Sequence, residues 1–196
     1  MFYIRQPSAQ QIRSLLDSQA DLSVAYNPEL ARQAWAGLEP EGLVLRQYRV
    51  LLGQGEQTYA AARKAIDAWQ MFPRRMTMPW PDRVPIAVGH DVAVVCRTWG
   101  LWSILPSRIV AVHQETGAVE RYGFTYGTLP AHVECGEERF TVAWDRATDE
   151  VWYELAAFSR NQWWLAKVGR PLVRYQQTRF VRLSLEAMVK AVYRAA

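Results

Sequence analysis

The hydrophobic pattern of the N-terminal part of the chain changes its period twice. Apolar positions recur at helical spacing at first, then alternate as in a strand, and then return to helical spacing. Gly53 and Gly55 are predicted to end the strand, and Pro73 to end the amphipathic helix that follows it. The predicted elements are, in order, helices over residues 9–20 and 28–36, a strand over 42–52, a helix over 56–71 and an irregular, proline-rich connection over 73–90.

From residue 91 onward the pattern predicts short strands joined by brief connections, which is typical of an antiparallel meander. A helical region then closes the chain. Residues 162–168 are predicted to form a first helical piece, Gly169-Arg-Pro171 to bend or break it, and residues 172–194 to form the long piece. The predicted strands cover residues 91–98, 101–105, 107–115, 120–128, 138–145 and 150–158.

The long C-terminal helix has two distinct faces. One is apolar, and the opposite one carries Arg179, Arg182, Glu186, Lys190 and Arg194. The order of elements predicts an α+β fold in which a curved antiparallel sheet wraps around the C-terminal helix. This arrangement resembles the START-like helix-grip fold, which implies binding of a small molecule between sheet and helix. The apolar face comprises Val181, Leu185, Met188, Ala191 and Val192.

Composition and charge restrict the class of protein. The chain has 196 residues, of which 50% are hydrophobic and 21% charged, which excludes a disordered chain and favours a single domain. Within it, residues 1–42 are predicted to form a looser helical part and residues 43–196 the helix-grip core. The two cysteines do not suit a disulfide scaffold, and no segment resembles a signal peptide or a membrane span, so we expect a cytoplasmic protein. The net charge of +4 divides into +7 over residues 160–196 and −3 over the remainder.

The most specific motif lies between residues 123 and 140. It reads Gly123-Phe-Thr-Tyr-Gly-Thr-Leu-Pro-Ala-His132, followed by Gly136-Glu-Glu-Arg-Phe140. This block resembles a pattern of an uncharacterised family of bacterial and plant proteins, catalogued as a domain of unknown function. Shorter likenesses extend over roughly residues 43–192. The resemblance implies a START-like ligand-binding fold and brings no reaction and no catalytic residue.

The same block holds groups that suit acid–base chemistry. His132 lies close in sequence to Glu137 and Glu138, and a carboxylate can orient an imidazole as a general acid or base. These three are the candidate catalytic residues. Together with Tyr126, they also suit a turn that polar side chains brace, and this structural interpretation is the preferred one. The spacing of His132 and Cys135 suits two metal ligands, but zinc sites take three or four, so no metal or other cofactor is expected.

Arg174 and Gln177 are polar residues that project toward the apolar side of the last helix. A buried charge is costly unless it meets a carboxylate or a ligand. Arg174 is therefore expected either to bind an anionic group of a ligand or to form an internal ion pair with Glu137, Glu138 or Glu154.

The leading hypothesis is a binding protein for a small apolar or amphipathic ligand, held in a cavity between the sheet and the last helix. An enzyme of hydrolase, lyase or cyclase type on the same scaffold, using His132 with Glu137 or Glu138, is the first alternative. The second is an interaction module that applies the basic helix face to nucleic acid or an anionic membrane. Because Glu186 interrupts that face, nucleic acid is not the expected partner. The residues predicted to line or brace the cavity are Tyr126, His132, Glu137, Glu138, Trp152, Glu154, Arg174 and Gln177.

Overall fold

Within residues 2–82, 84–161 and 170–195, which the computed structural model describes, eight strands form one antiparallel sheet. They are β1 (Phe2–Tyr3), β2 (Arg46–Gln54), β3 (Thr77–Trp80), β4 (Asp91–Thr98), β5 (Leu101–Glu115), β6 (Val119–Thr128), β7 (Glu134–Asp145) and β8 (Glu150–Asn161). Their spatial order is β2–β8–β7–β6–β5–β4–β3, with β1 paired to β5.

Helices cover both faces of the sheet. They are α1 (Ala9–Asp17), α2 (Pro28–Trp35), α3 (Gly55–Asp67) and α4 (Arg170–Tyr193), with a short 3-10 turn over Pro40–Gly42. We call the face that packs against α3 and α4 the inner face, and the opposite one, which carries α1 and α2, the outer face. A capping box starts α1, in which the side chains of Ser8 and Gln11 each accept a hydrogen bond from the other's backbone N–H.

The inner face carries the main hydrophobic core. Alternate residues of β6, β7 and β8 point into it, among them the fully buried Phe124, Phe140 and Tyr153. The turn after α3 adds Trp69 and Phe72, whose rings lie 5.6 Å apart between centroids. Buried apolar side chains of this size each contribute about 1.5–3 kcal/mol.

Two smaller cores lie on the outer face. Ile12 and Leu16 of α1 pack against Ile104 of β5. Ala34 of α2 packs against Phe158 of β8. The N-terminal helices therefore reach the sheet from the side opposite α4.

The α+β class with a curved antiparallel sheet and a C-terminal helix is confirmed. The predicted apolar face of that helix is also correct. Met188 and Val192 are buried in the main core, and Val181, Leu185 and Ala191 pack against it while half-buried. No helix among the described residues has an apolar stretch long enough to cross a lipid bilayer.

Prolines misled the prediction at two places in the sheet. The two strands expected over 101–105 and 107–115 form one strand, since β5 continues through Pro106, which pairs with Ala93 of β4. The connection expected to be irregular contains β3, with Pro79 inside it. In the strand order β3 is the edge strand, where the missing N–H of a proline is tolerated.

Other element boundaries also differ from the prediction. The helix expected to continue to Met71 ends at Asp67, and Trp69 adopts a φ of 53°, so a left-handed residue and not Pro73 redirects the chain. β2 continues to Gln54, past the predicted stop at Gly53. The helical piece predicted over 162–168 lies outside the described residues, and α4 begins at Arg170.

Candidate functional site

A cavity of about 320 Å³ lies between the inner face of the sheet and α4. Its wall is mainly apolar, as is usual in cavities that bind small molecules. β7, strands on both sides of it and α4 contribute polar groups to the wall. The apolar part is formed by Phe72, Met76, Val94, Leu105, Leu155, Phe180 and Val181.

The carboxyl groups of the cavity come from β7. Because side chains alternate across a strand, Glu134 and Glu138 face inward together with the core residue Phe140, whereas Glu137 faces outward. On the neighbouring strand β6, the Tyr126 hydroxyl donates a hydrogen bond to Oε2 of Glu138 at 2.6 Å. Strand alternation therefore brings a phenol and two carboxyls to one wall.

Burial raises the pKa of both inward carboxyls. Burial raises the pKa of Glu138 from its ordinary value of 4.5 to about 7; the nearby charge of Glu134 adds to this rise, and the hydrogen bond from Tyr126 opposes it. Burial also raises the pKa of Glu134, against hydrogen bonds from Ser159 and Gln177 that lower it. Near pH 7, Glu138 is thus shared between its acid and its carboxylate form, which suits proton transfer.

Two neighbouring glutamines of α4 line the cavity. Nε2 of Gln177 donates to Oε1 of Glu134 at 2.9 Å, which ties the helix to β7. Gln176 differs, because its amide nitrogen and oxygen are both buried and have no hydrogen-bond partner among the described residues. Gln176 was not among the predicted cavity residues, and its position beside Gln177 was the only available signal in the sequence. Leaving a buried polar group unpaired costs about 1–3 kcal/mol.

His132 braces the turn between β6 and β7. Its Nδ1 lies 2.9 Å from the backbone nitrogen of Glu134 and 3.0 Å from the carbonyl oxygen of the same residue, so it accepts from the first or donates to the second according to the ring tautomer. Burial lowers the pKa of His132 to about 4. The ring borders the cavity as a neutral imidazole at pH 7 and holds the start of β7 in place.

Three of the predicted cavity residues have their side chains on the outer face. Oε2 of Glu137 accepts a hydrogen bond from Nε1 of Trp35 in α2 at 2.5 Å. The ring of Trp152 lies 4.4 Å from the guanidinium carbon of Arg49, and the Glu154 carboxylate lies 3.7 Å from an arginine of β6. The sequence shows which residues of β7 and β8 share a face of the sheet. It does not show which of the two faces α4 covers.

Arg174 lies at the border of the cavity and is exposed. In the described part of the chain it forms no ion pair with Glu137, Glu138 or Glu154, so its charge remains open to a ligand or to solvent. The structure thus brings Arg174 to the cavity border. The predicted residues that line the cavity wall are Tyr126, His132, Glu138 and Gln177.

Cys135 and His132 do not form a ligand pair. Cys135 faces outward, where its Sγ donates to the carbonyl oxygen of Ala25 at 3.1 Å, whereas His132 borders the inner cavity. Among the described residues, no group of three or more His, Cys, Asp or Glu side chains is arranged to hold a metal ion.

The glycines of the 123–140 block are required by close packing of the sheet. A Cβ atom at Gly123 would lie 2.0 Å from the carbonyl oxygen of Phe140, and one at Gly127 would lie 2.0 Å from the Tyr26 hydroxyl. A Cβ at Gly136 would meet the carbonyl oxygen of Phe158 at 2.0 Å. The block that carries the family resemblance therefore holds β6, β7 and β8 at the spacing that forms the cavity wall.

A curved antiparallel sheet, a long C-terminal helix against its inner face and a cavity between them define a helix-grip fold. The family model described as "Domain of unknown function (DUF1990)" matches residues 27–187, and the chain belongs to this family. The resemblance inferred from the motifs is thereby confirmed.

Relatives match along nearly the whole chain. A UPF0548 protein of Dictyostelium discoideum is 32% identical over 212 residues, which cover 98% of this chain and 96% of that protein. A UPF0548 protein of Deinococcus radiodurans is 30% identical over 203 residues, which cover 97% and 98%. Among solved structures, a hypothetical protein from Helicobacter pylori superposes with a TM-score of 0.53 at 12% identity, covering 86% of this chain and 95% of that one. This last similarity concerns the fold alone.

Proposed function

We propose that this protein binds a small, largely apolar molecule in the cavity between the inner face of the sheet and α4. The observation that carries the proposal is the cavity of about 320 Å³, which lies at the lower end of the usual range for small-molecule sites. An apolar ligand would gain free energy by displacing water from a wall that is mainly hydrocarbon. The chain's helix-grip fold supports the same location.

The polar end of the cavity supports a ligand with one polar group. Both the nitrogen and the oxygen of the Gln176 amide lack a partner among the described residues, so a ligand group that donates and accepts would satisfy both atoms. A hydroxyl, a carboxylic acid or an amide meets this requirement. Arg174 at the cavity border favours an acidic group among these choices.

A neutral fluorescent dye tests the cavity directly. N-phenylnaphthylamine becomes fluorescent in apolar surroundings, and we expect the wild-type protein to bind it in competition with alkyl alcohols and fatty acids. Ala157→Phe, which places a ring in the cavity wall, should abolish binding. Leu51→Phe is the matched control, because Leu51 is exposed and pairs with Trp152 on the outer face.

Two results would refute the cavity proposal. One is dye binding by folded Ala157→Phe at the wild-type affinity, and the other is no binding by the wild type itself. The thermal unfolding midpoint of each variant establishes that it is folded before its binding is compared. Native mass spectrometry of the purified protein provides a second readout, since a retained ligand adds a defined mass that Ala157→Phe should lose.

A second candidate function is acid–base catalysis on a ligand in the same cavity. The observation that favours it is the Glu138 carboxyl, whose pKa of about 7 and hydrogen bond to Tyr126 suit a general acid or base. Of the candidates His132, Glu137 and Glu138, it is Glu138 that combines a cavity position with a pKa near neutrality. In a screen of ester, lactone and polyene substrates, Glu138→Gln should lose any turnover while it still binds the dye. Unchanged turnover would exclude this role.

A further inference from the structure

A second concavity lies between α3 and α4, and Phe72 lines both this concavity and the ligand cavity. Its volume is about 1270 Å³, and we call it the interhelical groove. Trp69 and Phe72 form part of its floor, and both are almost completely buried, with exposed fractions of 2% and 3%. Longer side chains of the two helices form the rim around this buried floor.

Three cations reach the groove from the α3 side. Lys64 lies in the last turn of α3, and Arg74 and Arg75 follow Pro73 in the turn that leads to β3. In the sequence they are about a hundred residues away from α4. The charge pattern of the C-terminal segment alone did not indicate that they would join its basic face.

Four cations reach the groove from α4 and the residue that follows it. They are Arg179, Arg182, Lys190 and Arg194, which extend along more than four turns of the helix. Among the described residues, the groove has two carboxylates against seven cations, and one of the two, Glu186, lies 3.9 Å from Nζ of Lys190. The groove is thus strongly positive.

Like charges gathered in one concavity repel each other and concentrate their field there. An anion that enters the groove relieves this repulsion. It also gains favourable electrostatic energy from all of the cations together. Five of the seven are arginines, whose planar guanidinium groups can bind phosphate oxygens in pairs. The arrangement favours an anion with high charge in a small volume.

The shape of the groove discriminates between kinds of anion. Single-stranded nucleic acid is usually bound on exposed aromatic rings, and the two rings at this floor are buried. A flat bilayer would meet the rim of a concave groove but not its interior. We propose that the interhelical groove binds a compact molecule that carries several phosphate groups, separately from the ligand of the inner cavity.

Calorimetric titration with tripolyphosphate and with inositol hexakisphosphate tests this proposal. We expect one equivalent to bind, with an affinity that falls about tenfold or more between about 0.05 M and about 0.3 M NaCl. Lys64→Gln/Arg182→Gln removes one exposed cation from each helix and should weaken binding about tenfold. Arg5→Gln/Arg13→Gln removes two exposed charges elsewhere and should change it less than about twofold. Glu186→Gln removes an acid of the groove and should strengthen binding.

Several outcomes would overturn the proposal. Equal weakening in both double variants would indicate a general charge effect with no site. Absence of binding at low salt by protein with a wild-type unfolding midpoint would exclude the site directly. An oligothymidylate, a polyglutamate peptide or phosphatidylserine vesicles that bind more tightly than either polyphosphate, and lose affinity in Lys64→Gln/Arg182→Gln, would assign the groove to a macromolecular partner. Dye binding in the inner cavity is measured in the same variants and should not change, which separates this site from the proposed ligand cavity.

Discussion

Tyr126 and Glu138 are direct neighbours across strands β6 and β7, and their side chains meet at 2.6 Å on the inner face of the sheet. Backbone register sets this contact, so the hydroxyl is already aimed at the carboxyl before any ligand enters. Burial of the same carboxyl favours its neutral form. The protonation of one cavity carboxyl is therefore linked to the stability of the folded sheet.

Glu138→Gln should become more stabilising as the pH rises. The folded-state pKa of Glu138, about 7, lies above its ordinary value of 4.5. The stability that this group contributes is therefore fully present below about pH 4.5 and is lost as the pH rises through about 7, whereas the amide does not titrate. Relative to wild type, the free energy of unfolding of the variant should gain about 3 kcal/mol between about pH 4 and about pH 8. Urea unfolding at both pH values measures this, and an unchanging difference would contradict it.

His132→Asn should show the opposite pH dependence. Asparagine retains a side-chain oxygen that can accept the Glu134 N–H but does not titrate. Because the folded-state pKa of His132, about 4, lies below its ordinary value of 6.5, its contribution to stability is fully present above about pH 6.5 and is lost as the pH falls through about 4. The variant should gain about 3 kcal/mol over wild type as the pH falls from about 7 to about 4. A profile parallel to that of wild type would mean that the ring is not buried in its neutral form.

Gln176 and Gln177 should respond in opposite directions to the same substitution. Gln176→Leu removes a buried amide that has no partner among the described residues, so the free energy of unfolding should rise by about 1–2 kcal/mol. Gln177→Leu removes the donor to Glu134 and should lower it by about 1–3 kcal/mol. Urea unfolding of both variants in one buffer gives the comparison. A loss of stability in Gln176→Leu would show that its amide is satisfied without a ligand.

The periodicity of the sequence was sufficient to predict the fold class and the face of the last helix that packs against the sheet. Helical spacing in the last helix correctly separated the buried Met188 and Val192 from the basic face. Alternation correctly indicated β2 and the region of β4 to β8, although it divided β5 in two and did not indicate β1 or β3. These predictions succeed because each depends on neighbours within one element, which the period of that element determines.

The remainder of the site depends on relations between elements. The pairing of Tyr126 with Glu138 requires the register of two strands, which no single segment encodes. Glu134 was missed because β7 begins four residues before the predicted start at residue 138. The interhelical groove combines Lys64 with Arg182, whose proximity arises only when α3 and α4 pack side by side.

Gly123→Ala tests whether close strand packing explains the first glycine of the 123–140 block. The new Cβ would lie 2.0 Å from the carbonyl oxygen of Phe140 and 2.7 Å from the Cα of Thr141, and neither backbone atom can move without disturbing the β6–β7 pairing. We expect a loss of about 3 kcal/mol or more in the free energy of unfolding, together with loss of dye binding.

Gly117→Ala is the matched control for Gly123→Ala. Its φ of 147° is close to the 157° of Gly123, so both alanines meet similar backbone strain, but a Cβ at Gly117 would have no atom within 4 Å. This variant should lose only about 1–2 kcal/mol and should bind the dye as the wild type does. The difference between the two variants then measures the steric clash alone. Equal losses of stability would assign the effect to backbone strain and would remove the packing explanation for Gly123.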